Sequence, residues 1–194
     1  IMKDKLNALD GTTISVASTA GLGEEVHAKG VYTFKCFEYE GGPLLWEDKI
    51  DNVVCTLGKN LMLQTSLTGS AYTVVGPYMG LISSVSFTTG PAAGDTMASH
   101  GGWTEAGSTN APTFAARIAP SFGTASAGAI TTTATSFTMT GAGTLKGAFI
   151  TYGTGAVTTL MSTAGTLLSA GLFTGGDQAV STSNVVQVTY SLSL

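Results

Sequence analysis

The chain of 194 residues fits one domain of generous size, or one domain with an arm. Eight basic and twelve acidic residues give a formal net charge of −4. With no basic run anywhere, the clustered Lys and Arg that phosphate binding requires are missing, which excludes a nucleic-acid partner. Fifteen of the charges lie between Lys3 and Lys59, and only Asp95, Glu105, Arg117, Lys146 and Asp177 serve residues 60–194. A free domain keeps about a quarter of its residues charged, partly for solubility. So uncharged a stretch predicts a protein packed against neighbours, an assembly component and not a free enzyme.

Residues 1–28 read as an arm. They lack a sustained apolar period, although Ile14 and Val16 could add a short strand to a neighbour's sheet edge. Met2-Lys3-Asp4-Lys5 leads into a polar segment, so no signal peptide is expected. Order begins near Gly30. Residues 31–37 are rich in aromatic and β-branched side chains and predict a strand. Glu40-Gly41-Gly42-Pro43 supplies a turn, and residues 45–55 form the return strand, with Trp46 and Ile50 on one face. A hairpin centred on Gly42 would set Cys36 opposite Asp48 and leave Cys55 far along the strand. The two cysteines are then too distant for a disulfide, and two buried free thiols are expected, as suits a reducing cytoplasm.

Residues 58–67, with Leu61, Met62, Leu63 and Leu67, predict a short helix ended by Gly69. Residues 78–82 read as a buried strand. Residues 91–100 read as a loop with one helical turn, for which Asp95 would be the N-cap. Residues 113–118 predict a short strand. From Ala129 onward the chain reads as strands: 130–140, 144–152, 166–173 and 184–192. In the last, Val186, Val188, Tyr190 and Leu192 alternate with polar residues. Many short strands with glycine-rich turns predict an all-β fold: an antiparallel, jelly-roll-like β-sandwich over 29–194, with one short helix and the extended N-terminal arm. No apolar stretch approaches the ~20 residues of a membrane-spanning helix, so no membrane partner is expected.

Candidate chemistry is sparse. Asp95, Ser99 and His100 lie close in sequence, but adjacent Ser and His rarely face each other, and no Gly-x-Ser-x-Gly elbow is present. His27 and His100 make no ligand spacing with each other or with the cysteines, so no metal is expected. Glu38, Glu40, Glu47, Asp48 and Asp51 surround one turn without a calcium-loop pattern. No catalytic residue and no cofactor follow. Trp103 is expected to pack beneath the Gly101-Gly102 loop. Arg117 is expected to fix that loop through a bidentate bond to Glu105 or Asp95, making these four residues structural.

One stretch carries a resemblance. Pro77-Tyr78-Met79-Gly80-Leu81-Ile82-Ser83 is followed by Asp95-Thr96, by Trp103-Thr104-Glu105, and by Phe114 three residues before Arg117. This pattern resembles a module of tailed-bacteriophage virion proteins, and the strands after Leu145 are similar to the terminal strands of the same proteins. The resemblance implies a capsid cement (decoration) protein at the head surface of the virion, assembled in the host cytoplasm. It implies the major capsid protein and further copies of the chain, as dimer or trimer, as partners. A tail or fibre component is the alternative it leaves, and a carbohydrate-binding module shares the strand-rich pattern.

Overall fold

The computed structural model describes residues 28–68 and 75–194, and there the protein is antiparallel β-structure with a single helix. Ile14, Val16 and His27 therefore lie outside the described residues, as does Gly69. Strands β1 (Lys29–Phe37) and β2 (Leu44–Val54) form the expected hairpin. Its register differs from the expected one. The turn is centred between Glu40 and Gly41, with Phe37 opposite Leu44, and beyond a bulge at Cys36/Phe37 Cys36 lies opposite Trp46 and Phe34 opposite Asp48. Trp46 and Ile50 do share the inner face, and both thiols are free and buried.

Helix α1 (Thr56–Leu67) follows directly. Strand β3 (Tyr78–Ser83) carries Met79, Leu81 and Ile82 into the core. Then come two-residue β4 (Thr104–Glu105), β5 (Ala129–Thr131) and β6 (Thr135–Thr138). They are followed by β7 (Gly143–Tyr152), β8 (Thr166–Leu172), β9 (Gln178–Val180) and β10 (Val185–Ser193). Hydrogen bonding runs β4-β3-β7-β8-β2-β1-β10-β5 as one open sheet, with β6 also on β10 and β9 on β7.

β2 is the joint in this path. Residues 44–52 pair with β1, and only Val53 and Val54 pair with β8. The inner faces on either side of it meet. The Tyr32 hydroxyl lies 2.7 Å from Ser169 Oγ. The Phe34 ring stands edge-on to Phe173 at 4.7 Å, and Trp46 Nε1 donates to the Ala179 carbonyl at 3.2 Å. Tyr32, Phe34, Ile50, Phe137, Ile150, Val186 and Val188 are fully buried in this core. Each such side chain stabilises the fold by about 1.5–3 kcal/mol.

Three expectations fail locally. Residues 91–100 contain no helix. Asp95 caps a turn instead, its carboxylate accepting the Ala92 amide at 3.0 Å. Residues 113–118 form no strand. They touch the sheet only through single bridges, Thr113 to Gly141 and Ile118 to Met79, and the Arg117 amide turns away to the Thr158 carbonyl. Residues 130–140 are broken into β5 and β6 around Thr132, whose hydroxyl accepts the Tyr190 amide at 2.9 Å inside the ladder.

The helix is real, but its leucines do not explain it. Gly58 is its one buried residue, and a Cβ there would lie 2.8 Å from Leu168 Cα and 2.9 Å from the Leu168 carbonyl oxygen. The absent side chain lets α1 lie directly on β8. The Tyr152 hydroxyl donates to the Gly58 carbonyl at 2.8 Å and holds it there.

Candidate functional site

The densest polar centre is built around Arg117 and Glu105. β4 leads Glu105 inward beside Ile82 of β3. Arg117 enters from the irregular segment beyond. Both residues are almost fully buried, at 2% and 4% exposure. Arg117 Nε donates to Glu105 Oε1 and Nη2 donates to Oε2, each at 2.7 Å, giving a bidentate fork. Nη2 also donates to the Ser162 carbonyl at 2.8 Å and Nη1 to the Val157 carbonyl at 3.4 Å. The Met161 amide donates to Oε2 at 2.6 Å. The guanidinium stands 5.4 Å from the centre of the Phe149 ring.

Beside this pair lies the Trp103 loop. Trp103 is buried at 2% exposure, and its Nε1 donates to Asp95 Oδ2 at 2.9 Å. His100 stacks on the Trp103 ring with centroids 3.9 Å apart, and its Nδ1 lies 3.1 Å from the Trp103 carbonyl oxygen. The four residues singled out in the sequence thus form two bonded pairs, Glu105–Arg117 and Asp95–Trp103. Asp95 is not the partner of Arg117.

This geometry ties segments together and leaves little for a substrate. The Glu105 carboxylate takes three donors, and the guanidinium is engaged on both sides by carboxylate and backbone carbonyls. His100 leans on an indole, and among the described residues no nucleophile is bonded to it. A small cavity of about 180 Å³ adjoins the pair, with Met97, Phe149 and Met161 in its wall. Among the described residues no three His, Cys, Asp or Glu side chains gather as a metal site. Among the same residues no helix is long and apolar enough to cross a membrane.

The thiols are equally withdrawn. Burial pushes Cys36 and Cys55 up to about 11, which keeps them protonated and unreactive at neutral pH. Burial also raises the Tyr32 and Tyr190 phenols.

The charge distribution becomes sharper in three dimensions. Of the five charged residues in 60–194, Glu105 and Arg117 neutralise each other inside the fold. Lys146 Nζ lies 2.6 Å from Asp177 Oδ1 at the surface. Asp95 is tied to the buried indole. The remaining described charges, apart from Lys59 on α1, crowd the β1–β2 hairpin, where Lys29 also pairs with Asp51 at 3.6 Å. Apolar side chains are meanwhile exposed on the hairpin tip (Tyr39, Leu44, Leu45) and on α1 (Leu57, Leu63, Leu67).

The carbonyls of Val157 and Ser162 and the amide of Met161 were invisible to sequence reasoning. They are backbone groups, and no residue type announces them. No protein-family model matches the chain, and the searches of curated proteins and of solved structures likewise returned no match.

Proposed function

We propose that the protein is a structural component of an assembly, a cement protein on the head of a tailed bacteriophage. One observation carries the assembly reading. Across 60–194 four of the five charges cancel in two pairs and only the half-buried Asp95 lacks a countercharge, so this surface offers water very little free charge. Such a surface suits burial against neighbouring chains. The phage assignment rests on the resemblance of residues 77–117 to virion modules. In this reading the single sheet folded at β2 is a jelly-roll-like sandwich. The partners are the major capsid protein and further copies of the chain, in a closed dimer or trimer.

The mechanism is mechanical. A protein that binds only the assembled shell stabilises it by mass action, by about 2.7 kcal/mol per site at a hundredfold excess over Kd. No turnover is involved: the Glu105–Arg117 fork holds the binding surface in shape, and the surface spans joints between subunits.

Adding purified protein to bare expanded capsids should raise their thermal disruption threshold, and quantitative mass spectrometry of virions should find hundreds of copies. Capsids that lack the protein yet survive heat unchanged, in a phage that fails to adsorb, would move the assignment to the tail or fibre.

A further inference from the structure

Two exposed apolar features are complementary in form and charge. One is a groove of about 380 Å³ beside α1, walled by Met62, Leu63 and Leu67 of the helix, by Leu194 and by Ala28, with Lys59 at its rim. Leu63, Leu67 and Leu194 are each more than half exposed. The other is the tip of the β1–β2 hairpin, where Tyr39, Leu44 and Leu45 are each about half exposed. Water against either feature contacts mostly hydrocarbon, so covering them is favoured.

The tip is a preformed knob. The Glu38 amide donates to the Pro43 carbonyl at 3.0 Å, and the Gly42 amide donates to the Tyr39 carbonyl at 2.9 Å. Tyr39 folds over Gly42, where a Cβ would sit 3.0 Å from its ring atoms. A knob already ordered loses little entropy on docking, and tyrosine is enriched in the cores of interfaces. The charges are opposite. Residues 38–48 carry Glu38, Glu40, Glu47 and Asp48 and no base, whereas α1 carries Lys59 and no acid. Glu38, Glu40, Glu47 and Lys59 are exposed and form no ion pair among the described residues.

Within one molecule the fold holds knob and groove apart. Ala28 and Leu194 lie just beyond the Lys29–Ser193 pair, at one end of β1 and β10, and the tip leaves the other end of β1 at Phe37. The nine residues of β1, at about 3.3 Å each, separate the two by roughly 30 Å. The knob of one copy therefore cannot reach its own groove. A full interface between globular proteins uses roughly 20–30 residues on each side. This groove admits one hairpin tip, so the contact acts where copies are concentrated, as on a shared scaffold.

We propose that the hairpin tip of one copy docks in the α1 groove of the next, with its apolar side chains on Leu63 and Leu67 and its carboxylates facing Lys59. Unlike patches meet, so the contact repeats from copy to copy, in a ring where the rotation closes. It rests on the self-association proposed above and holds whether or not the scaffold is a capsid.

The test uses full-length chains. Chains carrying Glu40→Cys are mixed with chains carrying Ser66→Cys, a groove position, which leaves the apolar anchors of both patches intact. The control partner carries Ser136→Cys, an exposed site opposite Gln187 and so far along β10 from Leu194. Disulfides formed under mild oxidation are followed by non-reducing electrophoresis and peptide mass mapping. Cys36 and Cys55 are buried and do not compete. At about 1 mM protein, where a contact with Kd of that order is substantially populated, position 40 should link to position 66 at least tenfold faster than to position 136. Equal rates would overturn the proposal. Faster links between two position-66 chains would overturn it in favour of two helices meeting face to face. Lys59→Glu in the groove chain should slow the 40–66 link about threefold, and Glu38→Lys in the tip chain should restore it. A rate that ignores both changes would also overturn it. None of these failures alters the capsid-heating result, so the two readings fail separately.

Discussion

Replacing Arg117 with lysine keeps the charge and removes the fork. In the native protein Arg117 makes two short bonds to Glu105 and one to the Ser162 carbonyl, all at 2.7–2.8 Å. A lysine ammonium is a point donor on a flexible stem and cannot hold both carboxylate oxygens in one plane. With one carboxylate bond retained, a charge-assisted bond to Oε1 or Oε2 is lost at about 1.5–3 kcal/mol, and the half-buried Ser162 carbonyl is left short of a donor at about 1 kcal/mol. Partial relaxation brings the sum to about 3 kcal/mol. For a domain of this size that corresponds to a fall in Tm of roughly 6–12 °C, read by calorimetry or by a near-ultraviolet circular dichroism melt. Arg117→Met should cost more, about 3–5 kcal/mol, because Glu105 would be buried without a countercharge. Adding Glu105→Leu to Arg117→Met should restore much of the loss, since the uncompensated charge goes with it. If Arg117→Lys melts within about 2 °C of the wild type, the fork is not what holds segments 104–117 and 157–162 together. If its melting is unchanged but capsid binding is lost, the residue belongs to a recognition surface.

Gly58→Ala, which in an exposed helix would help, should destabilise by about 1–3 kcal/mol, because the new methyl meets the Leu168 backbone. An unchanged or raised Tm would show that α1 can lift off β8 freely. Stability should also fall at alkaline pH. Cys36 and Cys55 have folded values near 11 against an ordinary value of 9.0, so their contribution is complete below pH 9 and is lost as pH rises through 11. The raised Tyr32 and Tyr190 phenols act in the same direction. Chemical denaturation from pH 7 to 11 checks this, and a flat profile from pH 8.5 to 11 would contradict it.

The strands that could be read in advance were those with a strong local signal. β10 alternates buried and half-buried residues from Val186 to Ser193, as its sequence predicts, because one face of it lies on the core. β7 and β8 were legible for a different reason, as apolar runs buried on both faces, with adjacent Phe149 and Ile150 of β7 entering separate parts of the core. β4 and β9, of two and three residues, are too short to show a period. Residues 113–118 looked like a strand because Thr113, Phe114 and Ile118 favour one, but their backbone partners are distant carbonyls and amides that no local pattern encodes. The hairpin register differs because the turn is centred between Glu40 and Gly41 and not on Gly42, and the bulge at Cys36/Phe37 makes up only one residue of the difference. At the polar centre, the Glu105–Arg117 pairing followed from charge scarcity: with so few acids in reach, the candidates were two. That scarcity could not say which, and Asp95 went to the indole.

The pairing of β1 with β10 has a consequence for synthesis. β1 runs beside β10 along its whole length, from Lys29 opposite Ser193 to Phe37 opposite Val185. The first described strand to leave the ribosome thus waits for the last before its second edge is covered. β2 closes the other edge early, as a local hairpin. Throughout translation of residues 55–184, however, a nine-residue row of unpaired amides and carbonyls, flanked by Tyr32 and Phe34, stays open to any passing strand. Nascent chains crowded on one message all present the same edge. Stalled or truncated products that lack β10 should therefore be the main source of insoluble material when the protein is overproduced, and slowing initiation should raise soluble yield more than slowing elongation.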